Sequence, residues 1–269
     1  MTSSTLSDQS QKLFQFFQRL ASVSAVPAML HFRNKVAVEN KTASNFDPVT
    51  VADRETETAI RQLIETEYPD HGILGEEYGA TKPDAAYQWV IDPIDGTRAY
   101  ISGLPLWGTL VGLTFEGKAI AGMMAQPFTR EVYVGVPGGA YVLHDGAPEV
   151  PIAASHTRTL ADATLMTTTP SLYAGAKSER YAALEETVRL PRYGCDCYAF
   201  AMLAAGHVDL VVEPGLQPYD IAGLIAPIQE AGGIVTTWDG GRPEGGGDVI
   251  AAATPELHKA ASDILMGRV

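Results

Sequence analysis

Trp89-Val90-Ile91-Asp92-Pro93-Ile94-Asp95-Gly96-Thr97 is the stretch from which the rest of the chain can be read. Its three leading apolar residues predict a short strand, and an acidic hexapeptide follows at once. Proline at 93 forbids a helical continuation and fixes a turn, which can aim Asp92 and Asp95 at one point. Two carboxylates about 4 Å apart repel by roughly 4 kcal/mol at an effective dielectric of about 20. A folded chain tolerates this when a divalent cation lies between them, and oxygen ligands select magnesium or manganese over zinc. Gly96 permits close backbone approach, free amides at 96 and 97 can bind a phosphate oxygen, and the Thr97 hydroxyl sits beside them.

Toward the N-terminus, Leu13, Phe16, Phe17, Leu20, Ser24 and Pro27 have helical spacing and predict an amphipathic first helix. Residues 40–48 read as a polar loop. Thr50 is placed to cap a second helix through Ile60, Leu63 and Ile64, with Asp53 approximating a capping box and Pro69 closing it. Ile73-Leu74 predicts a strand that ends at Gly75-Glu76-Glu77. Beyond the hexapeptide, Thr109–Phe115, Ala119–Ala125, Glu131–Val136 and Ala140–Val142 predict an antiparallel meander. The remainder alternates: strands at Leu165–Thr168, Val208–Glu213, Ile234–Thr237 and Val249–Ala252, and helices at Glu179–Arg189, Tyr198–Ala205, Asp220–Ala231 and Pro255–Met266. Such layering predicts an α+β architecture, with residues 1–150 and 151–269 as two halves of one compact unit.

The chain has 269 residues, enough for a substantial core, and a formal net charge of −13. It has no basic run, which argues against a nucleic-acid partner. That acidity also opposes an anionic substrate at long range, so local cations must reverse the field. The two cysteines, Cys195 and Cys197, are too close to staple the fold and too few for structural zinc. No window approaches the roughly 18 apolar residues of a membrane span. The N-terminus has no signal-peptide pattern, and a soluble, cytoplasmic protein is expected.

Taken singly, each motif has an ordinary explanation. Asp-Gly-Thr is commonly a turn, Glu76-Glu77 a solvated surface, and Asp220 a helix cap. Together they form a set. Asp47-Pro48-Val49-Thr50-Val51-Ala52-Asp53, Gly75-Glu76-Glu77, Asp92–Thr97, Tyr219-Asp220-Ile221-Ala222-Gly223 and Glu230-Ala231-Gly232-Gly233 resemble, in this order, the inositol monophosphatase family. The resemblance covers nearly the whole chain. It implies a layered αβαβα sandwich, a magnesium-dependent phosphomonoesterase acting on a small phosphorylated substrate, and a homodimer. It implies that Glu76, Asp92, Asp95 and Asp220 bind the metal by side chains and Ile94 by its carbonyl. Glu76 and Thr97 would orient the attacking water, Asp53 would support Thr97, and the Gly96 and Thr97 amides would hold the phosphate.

The segment Tyr193–Asp220 departs from the inositol-hydrolysing pattern and resembles the histidinol-phosphatase branch. So does Asp95-Gly96-Thr97-Arg98-Ala99-Tyr100-Ile101-Ser102-Gly103. The branch implies substrate contacts from Arg192, Gly194, Cys195, Asp196, Glu213 and Asp220. Histidinol phosphate carries an ammonium and an imidazole, and Asp196 beside Glu213 suits a cation. Asp196 could also cap the helix near Cys197, which is compatible with substrate contact. The expected reaction is hydrolysis of L-histidinol phosphate, a step of histidine biosynthesis. The alternatives are an inositol-1-monophosphatase or a broad sugar-phosphate phosphatase, and, remotely, a non-catalytic metal- or ligand-binding regulator on the same fold.

Overall fold

The structure is a computed structural model. It describes residues 6–34, 38–40 and 48–268. Asp47, residues 1–5 and most of the loop expected over 40–48 lie outside the described residues.

The chain opens with helix α1 (Asp8–His31), followed by a short antiparallel pair, β1 (Val38–Asn40) and β2 (Pro48–Thr50). Helix α2 (Val51–Glu67) leads to β3 (Gly72–Gly75), β4 (Gly79–Thr81), β5 (Tyr87–Asp95) and the short α3 (Thr97–Ile101). The meander is β6 (Gly108–Phe115), β7 (Lys118–Gln126), β8 (Glu131–Val136), β9 (Gly139–His144) and β10 (Val150–Pro151). Then come β11 (Thr164–Thr167), α4 (Ala176–Glu185), β12 (Leu190–Tyr193), α5 (Asp196–Ala204), β13 (Leu210–Leu216), α6 (Pro218–Glu230), β14 (Ile234–Thr237), β15 (Gly247–Ala252) and α7 (Pro255–Leu265).

Two large sheets result. The first has eight strands in the order β10-β9-β8-β7-β6-β5-β3-β4, antiparallel except where β3 runs beside β5. The second has five, in the order β12-β11-β13-β15-β14. Period-two alternation divides the inner strands between two cores. In β15, Val249 and Ala251 face α5 and α6, whereas Ile250 and Ala252 join the core under α4 and α7. In β6, Leu110 faces α6, whereas Val111 and Leu113 join the core with α1 and α2. The layers are therefore α1/α2, the large sheet, α5/α6, the small sheet and α4/α7: the αβαβα sandwich that the resemblance implies.

Helix α6 is set by an absence of side chains. Gly112 pairs with Gly122, and Gly122 with Gly135, so three glycines stand in one row across β6, β7 and β8. A Cβ on Gly112 would lie 2.5 Å from the Ala222 carbonyl carbon and oxygen, and one on Gly122 2.5 Å from the Gly223 oxygen. A Cβ on Gly135 would overlap the backbone at Ala226 and Pro227. Helix α6 thus lies backbone to backbone in a trough. Reciprocally, Gly223 meets the Val111 nitrogen and Met123 oxygen at distances no Cβ could occupy without displacement.

Some elements differ from the sequence expectation. The helix predicted over 179–189 begins earlier, at Ala176 after Gly175 (φ 58°), and ends at Glu185. The residues after it form β12, whose Pro191 argues against a strand in sequence but is tolerated at an edge. Strand β4, Gly-Ala-Thr, is also an edge and has no apolar alternation to read. In the apolar stretch 104–107, Trp107 is fully buried, while Leu104 is exposed.

Gly122→Ala tests the trough. Alanine gains roughly 0.5–1 kcal/mol through lost unfolded-state freedom, but displacing α6 costs about 1–3 kcal/mol. The expected outcome is a net loss of stability, read as a lower urea midpoint.

Candidate active site

In a regular strand, residues three apart point to opposite faces. Asp92 pairs with Leu110 and Asp95 with Gly108, so three steps along β5 match two along β6. This β-bulge at Pro93-Ile94 turns both aspartates to one side. Proline suits the bulge because it has no amide to lose from the ladder. Ile94 donates its amide to Asp92 Oδ1 (3.1 Å), and Thr109 Oγ1 donates to the Pro93 carbonyl (2.9 Å), fixing the turn.

Asp220 arrives from the other side. It is the third residue of α6, and its Oδ2 accepts the Gln217 amide (2.7 Å) in a capping box. The sequence alternative of Asp220 as the N-cap is not met: Gln217 is the N-cap, and Asp220 is the third-residue member of its capping box. Capping fixes the rotamer that brings Asp220 to the bulge. Asp92, Asp95 and Asp220 each present a carboxylate oxygen within 4.8 Å of the others. Asp92 is only 3% exposed. Burial, then repulsion from Glu76, Asp95 and Asp220, holds its carboxyl well above the usual range. Asp95 is raised by burial and by Asp196 and Asp220, against the hydrogen bond that the Cys197 amide donates to its Oδ2 (2.6 Å). Such an all-oxygen cluster, destabilised without a counter-charge, fits a hard divalent cation.

Gly96 follows the bulge at φ 83°, which favours glycine, and leads into α3. A Cβ there would lie 3.0 Å from Asp196 Oδ2. Asp53, 1% exposed, accepts from the Thr50 amide (2.8 Å) and hydroxyl (2.7 Å), completing the capping box of α2 that the sequence predicts. Thr97 Oγ1 donates to the Ile94 carbonyl (3.1 Å). Among the described residues no hydrogen bond joins Asp53 to Thr97. Burial, offset in part by Thr50, lifts the Asp53 carboxyl to about 6.

Beside the three carboxylates lies a cleft of about 160 Å³. Its polar lining comes from Asp95, Asp220, Asp196, Glu213 and Thr168. Thr168, which the sequence reading passed over, connects the last two acids. Its hydroxyl is 3.1 Å from Asp196 Oδ1 and 3.0 Å from Glu213 Oε1, and its amide donates to the same Glu213 oxygen (2.5 Å). Asp196 has φ 42°, a region that costs a non-glycine residue of order 1–3 kcal/mol, though Asp tolerates it better than most. No side chain caps α5, whose N-cap is Cys195, so the capping role considered for Asp196 is not what its carboxylate does. Glu213, like Asp92, precedes a proline at a bulge, since Glu213 pairs with Val249 and Leu216 with Gly247. Arg192 is exposed on β12, and Arg192, Gly194 and Cys195 do not line the cleft.

The sequence matches the model of the inositol monophosphatase family over residues 9–265. The chain belongs to the inositol monophosphatase family. It is 37% identical over 257 residues to the bifunctional phosphatase IMPL2, chloroplastic, of Arabidopsis thaliana, covering 91% of this chain and 72% of that protein. It is 34% identical over 213 residues to a histidinol-phosphatase of Mycobacterium tuberculosis, covering 78% of this chain and 82% of that protein. An inositol monophosphatase structure from Zymomonas mobilis superposes with a TM-score of 0.84 at 35% identity, covering 95% of this chain and 98% of that one. The chain is accordingly a phosphatase of this family, with histidinol-phosphatases among its similar relatives. Among the described residues, no helix is long and apolar enough to cross a membrane.

Glu213 gives a pH test. It is 2% exposed, and burial raises its carboxyl to about 8 despite the Thr168 hydrogen bonds, from an ordinary 4.5. The folded chain therefore holds a proton that the unfolded chain releases. The associated stabilisation is complete below pH 4.5 and is lost as pH rises through about 8. Glu213→Gln removes this dependence. Between pH 5 and 9 its melting temperature should fall less than that of the wild type in parallel thermal melts.

Proposed function

We propose that the chain is a magnesium-dependent phosphomonoesterase that hydrolyses L-histidinol phosphate to L-histidinol and phosphate. The observation carrying the substrate is the acidic lining of the cleft, where Thr168 holds Asp196 and Glu213 together beside Asp95 and Asp220. The hydroxyls of a neutral polyol also donate to such acids, but a substrate with an ammonium and an imidazole offsets their charge as well as bonding to them. The names of the Mycobacterium tuberculosis and Arabidopsis relatives agree with a phosphatase of this type.

In this reading Glu76, Asp92, Asp95 and Asp220, with the Ile94 carbonyl, hold magnesium, and manganese can replace it. The bound metal supplies charge neutralisation of the phosphoryl group and a lowered pKa for the attacking water. Glu76 and the Thr97 hydroxyl orient that water. Thr97 donates its own proton to Ile94, which leaves its lone pairs to accept from water. The Gly96 and Thr97 amides bind the phosphate. Asp53 acts one step back, by fixing Thr50 and the start of α2. Asp196 and Glu213 receive the cationic end of the alcohol. A Glu213 carboxyl that binds a cation releases its proton on binding, since the cation favours the ionised form.

Two measurements test this. Turnover of histidinol phosphate is compared with that of inositol 1-phosphate, and a clear preference for the latter would favour the inositol monophosphatase reading instead. Asp196→Asn, which keeps a residue tolerant of φ 42°, is expected to lower kcat/KM for histidinol phosphate by roughly 10-fold or more. It should change turnover of a neutral-alcohol phosphate far less. Separately, magnesium is expected to raise the melting temperature through binding to the native state. Asp95→Asn should lose most of that rise.

A further inference from the structure

We infer that the buried Glu57–Arg61 pair is a positioning device that fixes the backbone carrying Glu76 against the helix carrying Asp53. The inference rests on the reading of Glu76 as a metal ligand.

Glu57 lies one turn after Asp53 on the same face of α2. Its side chain is completely buried, and Arg61 Nε donates to its Oε1 at 2.7 Å. The remaining capacity of both groups goes to the β3–β4 hairpin. Glu57 Oε2 accepts the Glu77 amide (2.7 Å), and Oε1 accepts the Tyr78 amide (3.3 Å). Arg61 donates to the Gly79 carbonyl (2.5 Å) and the Thr81 hydroxyl (3.4 Å). Gly75 has no side chain where the Glu57 carboxylate sits, since a Cβ there would overlap it. On the opposite side, the Glu76 amide donates to the Ile91 carbonyl (3.1 Å), next to Asp92. Glu76 is thus held between β5 and α2 by bonds on its own amide and the next.

Stability alone is a poor reason for such a pair. A buried ion pair costs several kcal/mol of desolvation per ion, and well-packed apolar residues of similar volume often do as well or better. Apolar residues could not bond the Glu77 and Tyr78 amides or the Gly79 carbonyl, so the turn would lose its fixed height over the acid cluster.

The test uses the full chain with Mn2+ as probe, its affinity measured by calorimetry and by the electron paramagnetic resonance signal of free Mn2+. Glu57→Gln should bind Mn2+ at least 10-fold more weakly than wild type, with faster hydrogen exchange at the amides of 77 and 78. Ile60→Val, a core truncation on the same helix, should lower the melting temperature and leave the affinity unchanged. With Glu76→Gln already present, Glu57→Gln should have no further effect on affinity. If Glu57→Gln does not fold, Arg61→Lys serves, with an expected loss of at least threefold. A wild type that binds no Mn2+ overturns the metal reading and the inference together. A wild type that binds, with Glu57→Gln or Arg61→Lys unchanged in affinity or Ile60→Val weakened equally, overturns the inference alone.

Discussion

The close seat of α6 on bare backbone is the contact on which the site depends. Helix and sheet normally stand apart by the thickness of two layers of side chains. Along Gly112, Gly122 and Gly135 one of those layers is missing, and α6 descends until its own backbone meets the strands. That depth, together with the Gln217–Asp220 capping box, delivers Asp220 to the level of the β5 bulge. A helix raised by one methyl layer would leave Asp220 short of Asp92 and Asp95.

Much of this order was legible in the sequence, and the exceptions share a cause. The meander, α1 and α2 carry apolar periodicity because each buries a face, and the middle of α6 is apolar without a break because it is buried all round. Strands β4 and β12 were missed because both are edges, where one side of the ladder is unpaired and the burial pattern fades. Both start at positions the sequence does mark, Gly79 and the approach to Pro191, but those residues read as breakers. In the site, Asp92, Asp95 and Asp220 stood out because acidic residues beside apolar runs are conspicuous. Thr168 did not, because a threonine ending a strand is unremarkable until its two acidic partners are seen in space. The glycine row was invisible for a related reason. Gly112, Gly122 and Gly135 are separated by 10 and 13 residues, and only the strand register makes them neighbours. Asp53 was legible as the capping-box partner of Thr50, because that contact spans only three residues.

The two sheets use one device twice. Asp92-Pro93 in β5 and Glu213-Pro214 in β13 each place an acid just before a proline at a register shift. A bulge swings the acid out of the alternation, and a proline there sacrifices no ladder bond. Both acids stay deeply buried, and in both burial is the largest influence on the proton. Their neighbourhoods differ. Asp92 faces other carboxylates, which suits a shared counter-charge, whereas Glu213 is surrounded by hydroxyl and amide donors of Thr167 and Thr168.

The trough also divides the molecule's labour. Because α6 is registered to the large sheet through backbone contact, Asp220 moves with Asp92 and Asp95 as one body. Glu213 and Thr168 belong to strands of the small sheet, or follow directly from one. The two groups are tied at two points, where β13 runs through Gln217 into α6 and where the Cys197 amide of α5 bonds Asp95. A change in the small sheet or α5 therefore reaches the acid cluster through these ties.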